Sequence, residues 1–200
     1  MQTFKLQVED MIGRTVSDTD GLNDMLTATA REVADFLPRD VLIRNATLVE
    51  FTSNPYSIVN VRILAVSRNG HYANEIPYGM ATNAGDSGSI YFADSTQNRD
   101  PIFYFKGSDL YVLPTPTGSL KGEILKFSYP TVTHSLTGVD NFPDSAEYAI
   151  TLGSASKFLN KLAAEDHAAE DIELATSTTG LSQQLEADYV RESTRIKEQK

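Results

Sequence analysis

The segment Gly85-Asp86-Ser87-Gly88-Ser89 contains residue types that could supply a catalytic nucleophile. A serine hydroxyl attacks a carbonyl when a histidine beside it takes up the proton and a buried aspartate orients that histidine. The histidine nearest to it in sequence, His71, precedes Ser87 by 16 positions. It directly follows Arg68-Asn69-Gly70, a tripeptide typical of a tight hairpin turn. The sequence therefore offers a serine without a well-placed base.

This pentapeptide resembles the GDSGG segment around the nucleophile of trypsin-like serine proteases. That family carries its histidine far upstream in a different sequence context and spans two β-barrels, more chain than these 200 residues provide. A glycine-rich loop, in which aspartate and serine side chains bond to the turn backbone, accounts for the same five residues. We interpret residues 83–89 as a loop and predict no catalytic residue.

Metal and cofactor sites are not predicted either. His71, His134 and His167 are not spaced i, i+4 with one another, and the chain has no cysteine. The run Glu165-Asp166-His167 is more typical of a solvated helix surface than of a ligand set. No glycine pattern of the nucleotide-binding kind follows a predicted strand. We therefore expect a protein that is not an enzyme and holds no cofactor.

The overall charge limits the classes of partner. Seventeen lysines and arginines against 27 aspartates and glutamates give a formal net charge of −10. Such a chain is poorly suited to wrap nucleic acid by neutralising phosphates. No apolar run approaches the ~20 residues that a membrane-spanning helix needs, and the N-terminus has no signal-peptide core. We expect a soluble protein, made in the cytoplasm, with no membrane partner.

Helical patterns lie near both ends of the chain. Residues 22–37 carry an apolar stripe that Asp18, Thr19 or Asp20 can cap, and Pro38 ends it. Residues 141–165 form a second predicted helix, with Asn141 as N-cap. Its apolar side chains recur at helical spacing, at Tyr148, Leu152, Ala155, Leu159 and Leu162.

The middle of the chain has the composition of strands. Short runs rich in β-branched and aromatic residues are separated by Gly, Pro, Asn or Asp from residue 41 onwards. In one run, Val59, Val61, Ile63 and Ala65 alternate and are predicted to face a core. The aromatic pair at residues 91–92 and the aromatic triplet at residues 103–105 could stack nucleic-acid bases. Because aromatic residues on alternating strand faces are more often part of a sandwich core, we favour that interpretation.

These patterns predict an α+β protein. A small helical bundle is built from residues 1–40 and 134–200, and an antiparallel β sandwich or barrel, residues 41–133, is inserted into it. Residues 1–19 are interpreted as a short strand or extended arm. Residues 176–180, Thr-Ser-Thr-Thr-Gly, are interpreted as a polar hinge before a final helix that begins at Leu181.

Three stretches resemble the head–tail connector, or adaptor, proteins of tailed double-stranded DNA bacteriophages. The first stretch is the helix over residues 26–38. The second is residues 100–116, with the sequence DPIFYFKGSDLYVLPTP. The third is residues 141–150, which lead into Ser-Lys-Phe-Leu at residues 156–159. The stretches follow one another in the order found in that family and are spread over the chain from residue 26 to residue 159. The resemblance is one of organisation and involves no catalytic motif.

The resemblance implies a structural virion protein at the head–tail junction. Members of the family form a ring of about a dozen copies beneath the portal. They contact the portal protein on one side and a tail or nozzle protein on the other, while genomic DNA passes through without specific binding. Their C-terminal segment often docks into the portal.

The final helix therefore provides the predicted partner-binding residues. Its apolar side is thin and its end is basic, so a partner subunit could supply the missing burial. We expect this edge to comprise Leu185, Tyr189, Arg191, Arg195 and Ile196. The alternative, that the helix completes the bundle of its own chain, has equal support from the sequence.

Two other functions remain open from the sequence. A neck or tail-completion ring further from the portal would have the same organisation. A β module that binds glycans or a host surface would use exposed aromatic side chains, although it would not need the large helical share of this chain.

Overall fold

The computed structural model describes residues 2–81 and 101–198. The chain divides into two compact units. One comprises Met1–Leu42 with Tyr129–Lys200, here called the helical unit, and the other comprises Ile43–Ser128, here called the sandwich unit. The sequence analysis predicted the boundaries between these units at residues 40 and 41 and at residues 133 and 134. The α+β class predicted from the sequence is confirmed.

The helical unit is built around one central helix. Its elements are α1 (Phe4–Ile12), α2 (Thr19–Phe36), α5 (Asp144–Ala168) and α6 (Ile172–Glu198), and the short α3 (Arg39–Arg44) follows α2. Helices α1, α2 and α6 each pack on α5. Residues 149–156 of α5 are buried without interruption, which a helix shows only when neighbours cover it on all sides.

The N-terminal segment is a helix, so the predicted strand or arm over residues 1–19 is wrong. The Thr3 side chain accepts a hydrogen bond at the start of α1, and Gly13 ends the helix in the left-handed conformation with φ of 67°. The apparent alternation covered only three residues, whereas the helical spacing holds over nine. The buried side chains are Phe4, Val8 and Ile12.

Helix α2 matches its prediction closely. Asp18, one of the three proposed caps, accepts a hydrogen bond from the Gly21 amide at 2.9 Å. The helix ends at Phe36, just before Pro38, which cannot continue a helix without losing a backbone hydrogen bond.

Helix α5 begins later than predicted. Its N-cap is Pro143, which makes no side-chain cap bond, so Asn141 as N-cap is wrong. Asn141 instead adopts φ of 58° in the preceding turn, a conformation that asparagine tolerates better than most residues. Leu152, Ala155 and Leu159 are buried as expected, but Tyr148 is 50% exposed.

The predicted hinge at residues 176–180 is also wrong, because α6 is continuous from Ile172. The chain reverses instead at residues 169–171, where Glu170 has φ of 64°. The hydroxyls of Thr176 and Thr179 donate to carbonyls one turn back, both at 2.8 Å. These bonds let a threonine-rich stretch remain helical.

The sandwich unit contains two four-stranded sheets among its described residues. Its strands are β1 (Ala46–Phe51), β2 (Tyr56–Ser57), β3 (Val61–Arg68), β4 (His71–Tyr72), β5 (Asn74–Glu75), β6 (Ile102–Lys106), β7 (Asp109–Leu113) and β8 (Gly122–Ser128), with a one-turn helix α4 (Tyr78–Ala81). One sheet has the order β1-β8-β3-β4 and the other β2-β7-β6-β5.

The two sheets share one core, to which Phe51, Val66 and Ile124 contribute from the first sheet and Phe103, Leu110 and Val112 from the second. The unit is therefore a sandwich and not a closed barrel. The β5–β6 pair is parallel, so the prediction of purely antiparallel strands is wrong at that edge.

In strand β3, Ile63 packs against the sandwich core as predicted, but the alternation does not hold beyond it. Its register with β8 shifts between Ile63 and Ala65, which marks a β-bulge. After the shift the buried positions are Val66 and Arg68, while Val59 lies outside the strand and is 73% exposed. The predicted hairpin turn at residues 68–70 is confirmed, because Arg68 pairs with His71 across two positive-φ residues.

We predict that Leu152→Ala or Leu159→Ala lowers the free energy of unfolding by roughly 2–5 kcal/mol, since each side chain is at most 2% exposed. Urea denaturation followed by circular dichroism measures this loss. Tyr148→Ala on the same helix is the control and should change stability by about 0.5 kcal/mol or less. Equal effects at all three positions would contradict the packing described for α5.

Candidate partner-binding site on the last helix

All five predicted partner-binding residues lie in the C-terminal half of α6, but they do not share one surface. Leu185 is 8% exposed and Ile196 is 1% exposed, so both belong to the core of the helical unit. The side chains of Arg191 and Arg195 are 79% and 66% exposed. Tyr189 is half-buried between these extremes.

This burial favours the alternative in which α6 completes the bundle of its own chain. A role for Leu185, Tyr189 and Ile196 in binding another protein stays a prediction. For Leu185 and Ile196 it requires α6 to separate from α5, since both side chains are already buried within the helical unit.

Gly153 sets the distance at which the helices meet. A Cβ atom at this position would lie 2.7 Å from Cγ2 of Thr29 on α2 and 3.0 Å from the ring of Tyr189 on α6. Such distances are too short for carbon atoms in contact. The missing side chain therefore allows α2, α5 and α6 to converge at one point.

Small polar side chains form a buried seam between α5 and α6, which begins three residues after Gly153 on α5. The Ser156 hydroxyl donates to the carbonyl of Ser182 at 3.2 Å. The Ser182 hydroxyl lies 3.0 Å from the Ser156 carbonyl and 2.8 Å from the Asn160 side-chain oxygen. These reciprocal bonds satisfy polar groups that would be costly to bury alone.

A polar network links the C-terminal half of α6 to the other two helices. The Tyr189 hydroxyl donates to Oε2 of Glu32 at 3.2 Å, and Nζ of Lys157 lies 2.7 Å from Oε1 of the same carboxylate. Lys157 also donates to Thr29 at 3.1 Å. Burial, followed by the negative charge of Glu32, raises the pKa of Tyr189 to about 12. The tyrosine is thus held neutral, as a hydrogen-bond donor.

Each of the two arginines forms an ion pair with a carboxylate one turn earlier on the same helix. Arg191 lies 2.5 Å from Asp188, and Arg195 lies 3.5 Å from Glu192. Exposed i, i+3 pairs of this kind contribute little to stability. Both guanidinium groups can therefore exchange these carboxylates for a partner's at small cost.

A groove lies between the C-terminal ends of α2 and α6, with a volume of about 320 Å³. Phe36, Tyr189 and Val190 form its apolar part, and Glu32 and Lys197 are polar lining residues. Val190 is 56% exposed. Sequence reasoning missed this groove because Val190 lies off the apolar stripe. The signal available in the sequence was that Val190 is an isolated aliphatic residue on the polar side of the helix, which indicates a surface contact.

The other chemistry-bearing residues do not assemble into a site. His71 is exposed on β4, and the ring and amide of His134 bond to Asn23 at 3.0 and 2.7 Å. Asp166 is half-buried and contacts Arg14 and Thr178, each at 3.2 Å, whereas its neighbours Glu165 and His167 are exposed. Within residues 2–81 and 101–198 no cluster of His, Asp and Glu is suited to a metal ion. Ser87 lies outside the described residues.

The aromatic triplet 103–105 divides between two faces of its sheet. Phe103 and Phe105 contact each other edge-to-face in the sandwich core, with ring centroids 5.6 Å apart, which confirms the core interpretation. Tyr104 lies on the opposite face, stacked on Tyr111 at 5.1 Å and in contact with Tyr78 at 5.8 Å. The pair 91–92 lies outside the described residues.

Comparison with models of known protein families and with curated proteins found no match to this chain. In the part of the chain that the structure describes, none of the helices combines the length and the apolar character required to cross a membrane.

We predict that Gly153→Ala destabilises the helical unit. Overpacking of this kind typically costs 1–3 kcal/mol, and the branched, fully buried Thr29 cannot move aside. Gly180→Ala on α6 is the matched control, since a Cβ there meets nothing within 4 Å. It should stabilise by up to about 1 kcal/mol through helix propensity. Thermal unfolding of both variants measures the difference, and a stabilised Gly153→Ala protein would contradict the close approach.

The raised pKa of Tyr189 predicts a loss of stability in alkali. Unfolded tyrosine ionises near pH 10, whereas Tyr189 in the folded chain stays neutral until about pH 12. Stability should therefore fall as the pH rises from about 10 to about 12, because the unfolded state then binds fewer protons. Tyr189→Phe removes this contribution.

Unfolding free energies at about pH 9 and about pH 11 test the effect. The stability advantage of the wild type over Tyr189→Phe should shrink at the higher pH. Tyr148→Phe, which alters a half-exposed residue of α5, is the control. An advantage that stays constant or grows would show that Tyr189 is not held neutral by its surroundings.

Proposed function

We propose that this chain is a structural virion protein, the adaptor that joins portal and tail in a tailed double-stranded DNA bacteriophage. The supporting observation is the discontinuous helical unit, Met1–Leu42 with Tyr129–Lys200, into which a β sandwich is inserted. This is the plan that the sequence resemblance to head–tail connectors implies. In this role the protein belongs to the virion and has no catalytic task.

The charge of the chain suits a channel for DNA. A net charge of −10 per copy would be multiplied around a ring of about a dozen copies. A surface that neutralises few phosphates does not retain a polyanion, so DNA would pass without specific binding. The ring would extend the portal channel towards a tail or nozzle protein.

The portal contact would first involve the exposed part of the predicted edge. Arg191 and Arg195 are available to carboxylates of the portal in the fold described above. Leu185 and Ile196 would join the contact only if α6 leaves α5, at the cost of the buried seam and the Tyr189–Glu32 bond, whereas Tyr189 already lines the groove beside α2. A neck or tail-completion ring further from the portal would need the same architecture but no portal contact.

One observation favours a second candidate function, the binding of glycans by the sandwich unit. Tyr78, Tyr104 and Tyr111 form a cluster on a sheet face, with the Lys106 ammonium 5.6 Å from the centre of the Tyr78 ring. Tyr78 is 47% exposed. Against this function, the rings of Tyr104 and Tyr111 are parallel to within 2° and cover each other's faces.

Co-expression with a candidate portal protein, followed by native mass spectrometry, tests the proposal. We expect portal rings to carry about a dozen copies of the chain. The double variant Arg191→Glu/Arg195→Glu should bind at least about tenfold more weakly, because two attractive charges become repulsive. Lys5→Glu/Lys121→Glu makes the same change in net charge elsewhere and should bind normally.

Failure of the wild type to associate with the portal would overturn the adaptor role. If both double variants still associate with the portal, the adaptor role stands, but the two arginines do not take part in the portal contact. Binding of the chain to a glycan array, with loss on Tyr78→Ala, would instead support the second candidate.

A further inference from the structure

The Ser193 side chain on α6 is buried without a hydrogen bond. It is 7% exposed, and its Oγ atom bonds to none of the residues that the structure describes. The threonine hydroxyls of the same helix differ, since those of Thr176, Thr179 and Thr194 each donate to the carbonyl one turn earlier at 2.8 Å. Buried hydroxyls are nearly always bonded, and within a helix the preceding turn is the usual partner. The Ser193 hydroxyl is therefore available to a ligand.

The neighbouring Tyr189 hydroxyl does not satisfy this group. Burial and the negative charge of Glu32 raise the pKa of Tyr189, and the nearby Ser193 hydroxyl acts in the opposite direction. The two hydroxyls are thus close, but no hydrogen bond joins them, and Tyr189 donates its proton to Oε2 of Glu32. The oxygen of Ser193 keeps lone pairs that can accept a hydrogen bond from another donor.

Ser193 is one of the residues that line the groove between α2 and α6, whose volume is about 320 Å³. Phe36, Tyr189 and Val190 form the apolar walls of this groove. An apolar cavity of about 150 Å³ is large enough to hold benzene, so the groove has room for one ring system. Because two of the walls are aromatic, an aromatic ring can pack against them in the offset or edge-to-face arrangements that rings prefer.

The charges of the groove favour an uncharged ligand. Among the described lining residues, Lys197 is the one cation and Glu32 the one anion, so the lining carries no net charge. The two carboxylate oxygens of Glu32 already accept bonds from Tyr189 and Lys157. A charged ligand would lose hydration between the apolar walls without gaining an unopposed counter-charge, and this loss is costly.

We propose that the groove between α2 and α6 binds one uncharged aromatic ring that carries an N–H or O–H group, of the indole or phenol type. The ring packs against Phe36 and Val190, and its donor bonds to Oγ of Ser193. Such rings occur in free small molecules and in the side chains of tryptophan and tyrosine, and the chemistry of recognition is the same. This site does not depend on the adaptor role.

Titration of the full chain with indole, followed by nuclear magnetic resonance of the backbone amides of α2 and α6, tests the site. Indene is the matched control ligand, because it has nearly the same shape but no N–H group. Indole should bind in the millimolar range or more tightly, and about fivefold more tightly than indene, which is the effect expected of one hydrogen bond. Failure of indole to bind, or equal binding of the two ligands, would overturn the proposal.

Ser193→Ala removes the acceptor and should bind indole and indene equally. Since the hydroxyl makes no bond in the fold, this variant should be at least as stable as the wild type in thermal unfolding. A destabilised Ser193→Ala protein would show that the hydroxyl is already satisfied within the chain. That result, or a variant that still prefers indole, would overturn the proposal.

A pair of lysine substitutions tests the apolar wall. Val190→Lys places a charge on the wall and should weaken the binding of both ligands at least about tenfold. Val190 is 56% exposed, so the variant should fold normally. Ala187→Lys adds the same charge at an exposed position of α6 outside the groove lining and should bind like the wild type. Unchanged binding by Val190→Lys would contradict the assignment of the groove.

Two further ligands identify the source of the ring. Skatole has the structure of the bare tryptophan side chain, and N-acetyltryptophanamide adds the main-chain atoms to it. If the ring belongs to a partner protein, the amide should bind at least as tightly as skatole, because the main chain leaves through the open side of the groove. Weaker binding of the amide would support a free small molecule as the ligand. Neither comparison involves the portal, so a negative result in portal capture leaves this site unaffected.

Discussion

The close approach of three helices at Gly153 is the constraint on which the helical unit depends. No side chain larger than hydrogen fits there, because Thr29 and the Tyr189 ring already occupy the space that a Cβ would need. This contact brings α2 and α6 together beside α5, and it places Tyr189 within reach of Glu32 and Lys157. The buried serine seam then follows one and two turns further along the same interface.

This packing decides which parts of α6 can face a partner. The apolar side chains of the last helix are used within the chain, where they cover α5, and the free surface is left with arginines, carboxylates and a few isolated aliphatic residues. The cations of α6, Arg191, Arg195 and Lys197, all lie in its last eight residues, interspersed with Glu192 and Glu198. Recognition by this helix in its packed position would therefore rely on charge and on small apolar contacts.

The sequence was sufficient for features that depend on local chemistry. The cap at Asp18, the turn at residues 68–70 and the stripe of α5 each follow from residue types at fixed spacing. Prediction from the sequence failed where contacts with another strand or helix determine the local structure. The bulge in β3 is set by its pairing with β8, and the threonine stretch in α6 is helical because packing on α5 overrides its weak propensity. The apolar side of α6 looked too thin to hold the helix against its own chain. Small residues such as Ser182 pack closely between α5 and α6, but they are not counted as hydrophobic in a sequence pattern.

Amide hydrogen exchange of α6 in the free chain tests the central claim, that this helix is an integral part of the helical unit. If residues 182–196 are packed as described, their amides should exchange as slowly as those of residues 150–159 in α5, since both open only with the unit. Rapid exchange over residues 182–196, with slow exchange retained in α5, would contradict the account. It would identify α6 as an arm that orders only on a partner.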